Sequence, residues 1–273
     1  MTEQAERYDR IAEGYARWWG PIIAPASVRA LDEVADAVAG GATHLVDIGT
    51  GTGTLAIAAV RRWETVRVTG IDASRGMIER ATADADRALA PDQRARVDLK
   101  VAFADELPLE DGAADVAVSS FVLQLVPNRH RALREARRVL RPGGVFGWVS
   151  WLSGSDPWRP DDDFDDALID IGEEPRDWDD RPGDLRDERS AVAEMRRAGF
   201  SQVTARAGRL VHPFDVDGVV GFLTEFDEED LVDSLGRRRR ARFEAALRNR
   251  LERRPASELA ITNATVTVRG IRR

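Results

Sequence analysis

Cysteine is absent from the 273 residues. That excludes a disulfide scaffold, a cysteine-ligated metal and a thiol nucleophile, and it fits a reducing compartment, so a cytoplasmic location is expected. Lys100 is the only lysine, and histidine occurs three times, at His44, His130 and His212. Few groups are therefore able to act as a general base near neutral pH. No apolar run approaches the ~20 residues a membrane span needs. The opening Met1-Thr2-Glu3-Gln4-Ala5-Glu6 is polar and acidic, unlike a signal or transit peptide. An excess of basic charge is missing too. A net charge of -8 and a pI near 5.1 speak against a broad nucleic-acid footprint.

What is present is enough apolar material, 43% of residues, for one sizeable core. A single α/β domain spanning 1–273 with a cover is the natural reading of this length. Charge is uneven. Residues 156–188 are crowded with Asp and Glu, and Arg237 to Arg254 is dense in Arg. Both stretches read as solvated faces.

Along the chain, Tyr8, Ile11, Ala12 and Tyr15 recur at helical spacing, followed by Trp18-Trp19 and the breaker Gly20-Pro21. A second helix, roughly Ala26 to Ala39, should stop at Gly40-Gly41. A regular alternation follows. Strands are expected at His44 to Ile48, Val66 to Ile71, Val97 to Phe103, Val116 to Ser120 and Val145 to Trp151. Helices are expected at Thr54 to Arg62, after the cap Ser74, and at Arg129 to Leu140 after the cap Asn128. Strands alternating with helices of this length imply βαβ units and a parallel sheet. Residues 152–188 break the rhythm and read as a loop-rich insertion with one short helix around Phe164 to Ile171. A helix at Ala191 to Ala198, a strand at Gln202 to Val211, helices over Val216 to Leu235 (broken) and Arg237 to Arg253, and a last strand from Leu259 to Val268 complete the chain.

The informative stretch is Val46-Asp47-Ile48-Gly49-Thr50-Gly51-Thr52-Gly53-Thr54-Leu55, between a strand and a helix. Its glycines allow a tight turn and a ligand lying against the backbone, and the helix that follows points free N–H groups at that ligand. The dinucleotide fingerprint is G-x-G-x-x-G. Here the spacing is G-x-G-x-G, and Thr54 stands where the third glycine belongs, so a nicotinamide dehydrogenase is disfavoured. Asp72 closes the next strand, where a carboxylate can accept both hydroxyls of a ribose.

With these residues the sequence resembles the class I S-adenosylmethionine (SAM)-dependent methyltransferases, most closely the small-molecule group that includes the ubiquinone/menaquinone biosynthesis enzymes. The resemblance runs from about Tyr8 to Trp151. It rests on Tyr8-Asp9-Arg10-Ile11-Ala12, Val46 to Leu55, Gly70-Ile71-Asp72-Ala73-Ser74 with Met77, Leu107-Pro108-Leu109 with Asp115-Val116, Ser119-Ser120-Phe121-Val122-Leu123, and Arg138-Val139-Leu140-Arg141-Pro142-Gly143-Gly144.

The resemblance implies a Rossmann-like, seven-stranded, mostly parallel sheet with the last strand antiparallel and helices on both faces. It also implies a lid from residues 1–30, 152–188 and 213–255. By position, Asp47, Gly49, Gly51 and Gly53 would hold the methionine part of SAM, and Asp72 with Ala73 the ribose. Ala104 and Asp105 would flank the adenine, Ser119 would lie near the methyl group, and Tyr15 would close over the cofactor. Phe103 stands where the family often has an acid toward adenine, with Asp105 or a backbone group left to replace it, and Gln124 stands where a histidine is common.

The implied reaction is methyl transfer to an O, N or C atom of a small-molecule acceptor, leaving S-adenosylhomocysteine. The alternative is a SAM-binding protein with a regulatory or non-methylating role. Ser119-Ser120-Phe121-Val122 lacks the Asn/Asp-Pro-Pro-aromatic turn of amino-directed DNA enzymes, and zero cysteine excludes cytosine-C5 chemistry. The expected partner is thus a small molecule, with no nucleic acid, membrane or metal, and a homodimer is compatible. No catalytic residue is evident. His212, at the ligand-side end of a late strand, is the one candidate base, although a lone histidine is more often structural.

Overall fold

The computed structural model describes residues 3–155, 157–176 and 184–273. Residues 156 and 177–183, which fall in the expected acidic insertion, lie outside the described residues.

The N-terminal segment is helical, as its spacing predicts, but it is divided differently. Helix α1 (Glu3–Gly14) runs through a π-type turn (Tyr15–Trp19) into α2 (Gly20–Ser27). Gly20-Pro21 does not break the chain: the π-type turn runs directly into α2, and Pro21 lies in the first turn of that segment. The expected helix to Ala39 is two short pieces, α3 (Arg29–Asp32) and α4 (Ala35–Ala39).

The alternating region follows the reading closely: β1 (His44–Ile48), α5 (Thr54–Arg62), β2 (Arg67–Asp72), α6 (Arg75–Ala88), the short α7 (Pro91–Arg94), β3 (Val97–Val101), β4 (Ala114–Ser120), α8 (Arg129–Val139) and β5 (Leu140–Trp151). Ser74 Oγ accepts the Met77 N–H at 3.0 Å, and Asn128 Oδ1 accepts that of Arg131 at 3.0 Å, so both expected caps form. The later elements are α9 (Arg159–Asp170), α10 (Glu188–Arg197), β6 (Phe200–His212), α11 (Val216–Phe222), a π-type turn (Leu223–Asp227), α12 (Glu229–Ser234), α13 (Gly236–Leu251), α14 (Ala256–Leu259) and β7 (Ile261–Arg272).

The strands form one sheet in the order β3-β2-β1-β4-β5-β7-β6. β1 pairs in parallel with β2 and β4, β2 with β3, and β4 with β5, whereas β7 runs antiparallel to β5. All five residues of β1 are buried, as a central parallel strand covered on both faces requires. One core lies on the Leu133, Phe146 and Trp148 side and another around Leu31, Leu45 and Val118. Together these make the Rossmann-like sheet that the resemblance implied.

The chain divides into two compact units. One comprises Met1–Ser153, Pro182–Gly208 and Ala264–Arg273, and the other Gly154–Arg181 and Arg209–Asn263. The first carries the sheet and its helices. In the second, Phe164 of α9 meets Phe243 of α13 edge-on at 4.8 Å. The acidic and arginine-rich stretches, read as solvated faces, are joined here. Arg250 reaches Asp166 and Asp170, Arg254 binds Asp163, and buried Arg176 bridges Asp161, Asp165 and Glu228 while lying over the Phe164 ring. Pairing a buried cation with several carboxylates offsets the cost of removing it from water.

Candidate cofactor site

A cavity of about 200 Å³ opens at the carboxyl ends of β1–β4, entirely within the first unit. In parallel sheets this edge is where ligands bind, because strand ends and helix N-termini meet there. The sheet order sets the sequence of groups along it: the segment after β3, then β2, β1 and β4.

At the end of β1 the chain turns through three glycines with positive φ: Gly49 (72°), Gly51 (54°) and Gly53 (83°). The turn is pinned to β2 by the N–H groups of Gly49 and Thr50, which donate to Ile71 O at 2.7 and 2.9 Å. The three glycines do different things. A Cβ on Gly49 would fall 2.2 Å from the Val122 side chain, so this position must be bare for the β4 loop to close on it. A Cβ on Gly51 would meet nothing within 4 Å, because that residue faces the cavity. Gly53, expected in the site, does not line the cavity. Its Cβ would approach Ala81 at 3.2 Å, and it serves the left-handed entry into α5 and the seating of α5 on α6.

Asp47 lies at the floor. Its Oδ2 accepts the Thr50 hydroxyl at 2.7 Å, while Oδ1 is buried without a hydrogen-bond partner. Burial pushes its carboxyl up to about 7, against the Thr50 hydrogen bond, which favours the charged form. Asp72 spans the two turns. Its Oδ2 accepts the Gly51 N–H at 2.8 Å and its Oδ1 the Ser74 N–H at 2.9 Å. Burial raises this carboxyl too, opposed by those backbone donors.

Ala73, Phe103, Ala104 and Asp105 line the end of the cavity by β2 and β3, and Phe103 is partly exposed there. From the N-terminal segment come Tyr8 and Tyr15, whose rings meet edge-on at 5.9 Å and whose hydroxyls are both raised by burial. Asp47, Asp72 and Asp105 line the cavity, while no arginine, lysine or histidine is found among its described lining residues.

Ser119 does not line the cavity. It is buried away from the cavity, donating to Ile48 O at 2.8 Å, and Ser120 lines the cavity instead. Side chains alternate along a strand, so adjacent serines at its end face opposite ways. Ser120 donates to Ser27 Oγ at 2.7 Å, and Ser27 donates to Ile23 O at 3.0 Å. Next to it, Phe121 adopts a left-handed backbone (φ 53°) and stacks on Trp151 at 4.0 Å. Tyr8, Ser74, Ser120 and Phe121 are thus lining residues that the sequence reading missed. In the sequence Tyr8 stands as a helix position and as part of the resemblance, but without a role in the site.

Of the histidines, His44 is structural, with Nδ1 on Ala113 O at 2.7 Å and Nε2 on Thr69 Oγ1 at 2.9 Å. His212 belongs to the second unit, sits edge-on to Phe214 at 4.7 Å, and is not among the residues lining the cavity. Among the described residues no cluster of His, Asp or Glu could hold a metal, and no helix is long and apolar enough to cross a membrane.

Comparison with known proteins agrees with this geometry. Residues 46–147 match the family model described as a methyltransferase domain. The chain is 34% identical over 112 residues to the malonyl-[acyl-carrier protein] O-methyltransferase of Geobacter sulfurreducens, covering 41% of this chain and 40% of that protein. It therefore spans about two fifths of the length of such curated relatives. Among solved structures it resembles YcgJ of Bacillus subtilis (TM-score 0.54, 19% identity, 85% of this chain and 92% of that one). It also resembles the [4+2]-cyclase SpnF (TM-score 0.52, 22% identity, 85% and 76%). Likeness at these identities concerns the fold.

Proposed function

Because residues 46–147 match a methyltransferase domain, we propose that the chain is a class I, SAM-dependent methyltransferase that transfers a methyl group from SAM to a small molecule. The observation that carries this reading is the buried, unpartnered Asp47 Oδ1 in a cavity with three carboxylates and no cationic side chain among its described lining residues. Such a cavity suits an ammonium and a sulfonium and repels a pyrophosphate.

The residues present fit SAM. Asp47 Oδ1 would take the ammonium, and bare Gly51 with the N-terminus of α5 the carboxylate. Asp72 would take the ribose hydroxyls, and the segment Phe103–Asp105 the adenine. Bound there, SAM supplies an activated methyl group on sulfur. The protein's part is then to position the acceptor and exclude water, which needs no strong acid or base. Sheet order puts the far end of a ligand laid from β3 across β1 next to β4. Ser120, with its hydrogen committed to Ser27, offers oxygen lone pairs there to a hydroxyl or amine, and Phe121 on Trp151 offers an apolar face.

Purified protein incubated with methyl-labelled SAM and a panel of hydroxyl- and amine-bearing aromatic small molecules tests this. Label entering an acceptor supports it. SAM binding with no transfer across the panel favours the non-methylating alternative.

A further inference from the structure

We propose that Asp9 is a positioning residue that latches α1 over the cofactor turn, with Gly76 as the seat it requires. This rests on the cofactor reading above. Asp9 Oδ1 accepts the Ser74 hydroxyl at 2.6 Å and the Gly76 N–H at 2.9 Å. Ser74 is the residue whose N–H donates to Asp72 Oδ1 and whose Oγ caps α6. One carboxylate on α1 is therefore hydrogen-bonded to the turn that aims the ribose-binding acid. These two bonds hold the Asp9 carboxyl below the usual range, so it stays ionised.

The backbone gives an independent observation. A Cβ on Gly76 would lie 2.9 Å from Asp9 O and 3.1 Å from Asp9 Cα. α1 can approach α6 this closely only because residue 76 has no side chain. Gly76 stands in the first turn of α6, where the bare position meets the backbone of Asp9. What the approach achieves is visible in the cavity: Gln4, Ala5 and Tyr8 of α1, followed by Tyr15, line it. With α1 latched, this segment forms part of the cavity wall, and a bound ligand leaves faster once α1 lifts.

The test is the dissociation rate of S-adenosylhomocysteine, followed by stopped-flow tryptophan fluorescence on the full chain. In Asp9→Ala, dissociation accelerates about tenfold, as expected when two charge-assisted bonds of a closed lid are lost. Asp9→Asn, which keeps an Oδ1 acceptor, restores most of the wild-type rate. Gly76→Ala matches Asp9→Ala although Asp9 is intact and alanine favours the helix, and it carries the test if Asp9→Ala does not fold. A merely structural role would lower Tm while leaving dissociation unchanged, and wild-type dissociation rates in both Asp9→Ala and Gly76→Ala would overturn the latch. If the wild type binds no S-adenosylhomocysteine, the cofactor reading fails, and the latch fails with it.

Discussion

Lowering the pH should weaken S-adenosylhomocysteine binding through protonation of Asp47. Its carboxyl titrates at about 7, because burial outweighs the Thr50 hydrogen bond. The ligand's ammonium needs the ionised form. At pH 8 about nine-tenths of the protein carries it, and at pH 5 about one-hundredth does, so apparent affinity should fall up to roughly a hundredfold, about 2.7 kcal/mol. Near pH 7 binding should release about half a proton, which calorimetry in two buffers of different ionisation enthalpy reads directly. Asp72 is also raised and lies near, so Asp47→Asn is the control that isolates Asp47. It should bind weakly at pH 8 and show little of the slope.

The same residue acts oppositely on the free protein. Its folded pKa lies above its unfolded value, so its contribution is fully present below about pH 4 and is lost as pH rises through 7. From 3.8 to about 7, at 1.36 kcal/mol per unit, the loss is on the order of 4 kcal/mol. Asp47→Asn should therefore be more stable than wild type at pH 8 while binding worse. Wild-type affinity that is flat between pH 5 and 8, or an Asp47→Asn variant with the full wild-type slope, would refute the reasoning.

Other perturbations separate scaffold from site. Gly49→Ala should cost more than 2 kcal/mol in chemical denaturation and abolish ligand binding, since a Cβ there collides with Val122 at a positive φ. His44→Ala should cost about 1–3 kcal/mol by stranding Thr69 and Ala113, with ligand affinity unchanged because His44 does not line the cavity. Burial lowers the His44 pKa, so the stability this residue contributes is present above its unfolded value of 6.5 and declines as pH falls toward its folded one.

The nucleotide-binding half was legible because its signals are local. β1 and α5 have the bounds their pattern predicts, since an apolar run, a glycine turn and a helix leave little choice over Val46 to Leu55. What escaped depends on non-local geometry. Ser119 and Ser120 are chemically identical, and only the pairing of Ile48 with Ser119 across β1 and β4 decides which one turns inward. Gly53 and Gly51 look equivalent in the motif, yet one faces Ala81 and the other faces open space. The opposite charges of α9 and α13 are some eighty residues apart, so their pairing was invisible. Pro21 misled because a proline in the first turn of a helical segment is tolerated.

The most direct test of the central claim is calorimetric titration of the full chain with S-adenosylhomocysteine and, separately, NADH, for wild type and Asp72→Ala. The account predicts binding of S-adenosylhomocysteine on the order of micromolar, weakened at least tenfold in Asp72→Ala by loss of charge-assisted bonds to the ribose, and no binding of NADH. Failure of the wild type to bind S-adenosylhomocysteine, or binding of NADH in its place, would contradict it.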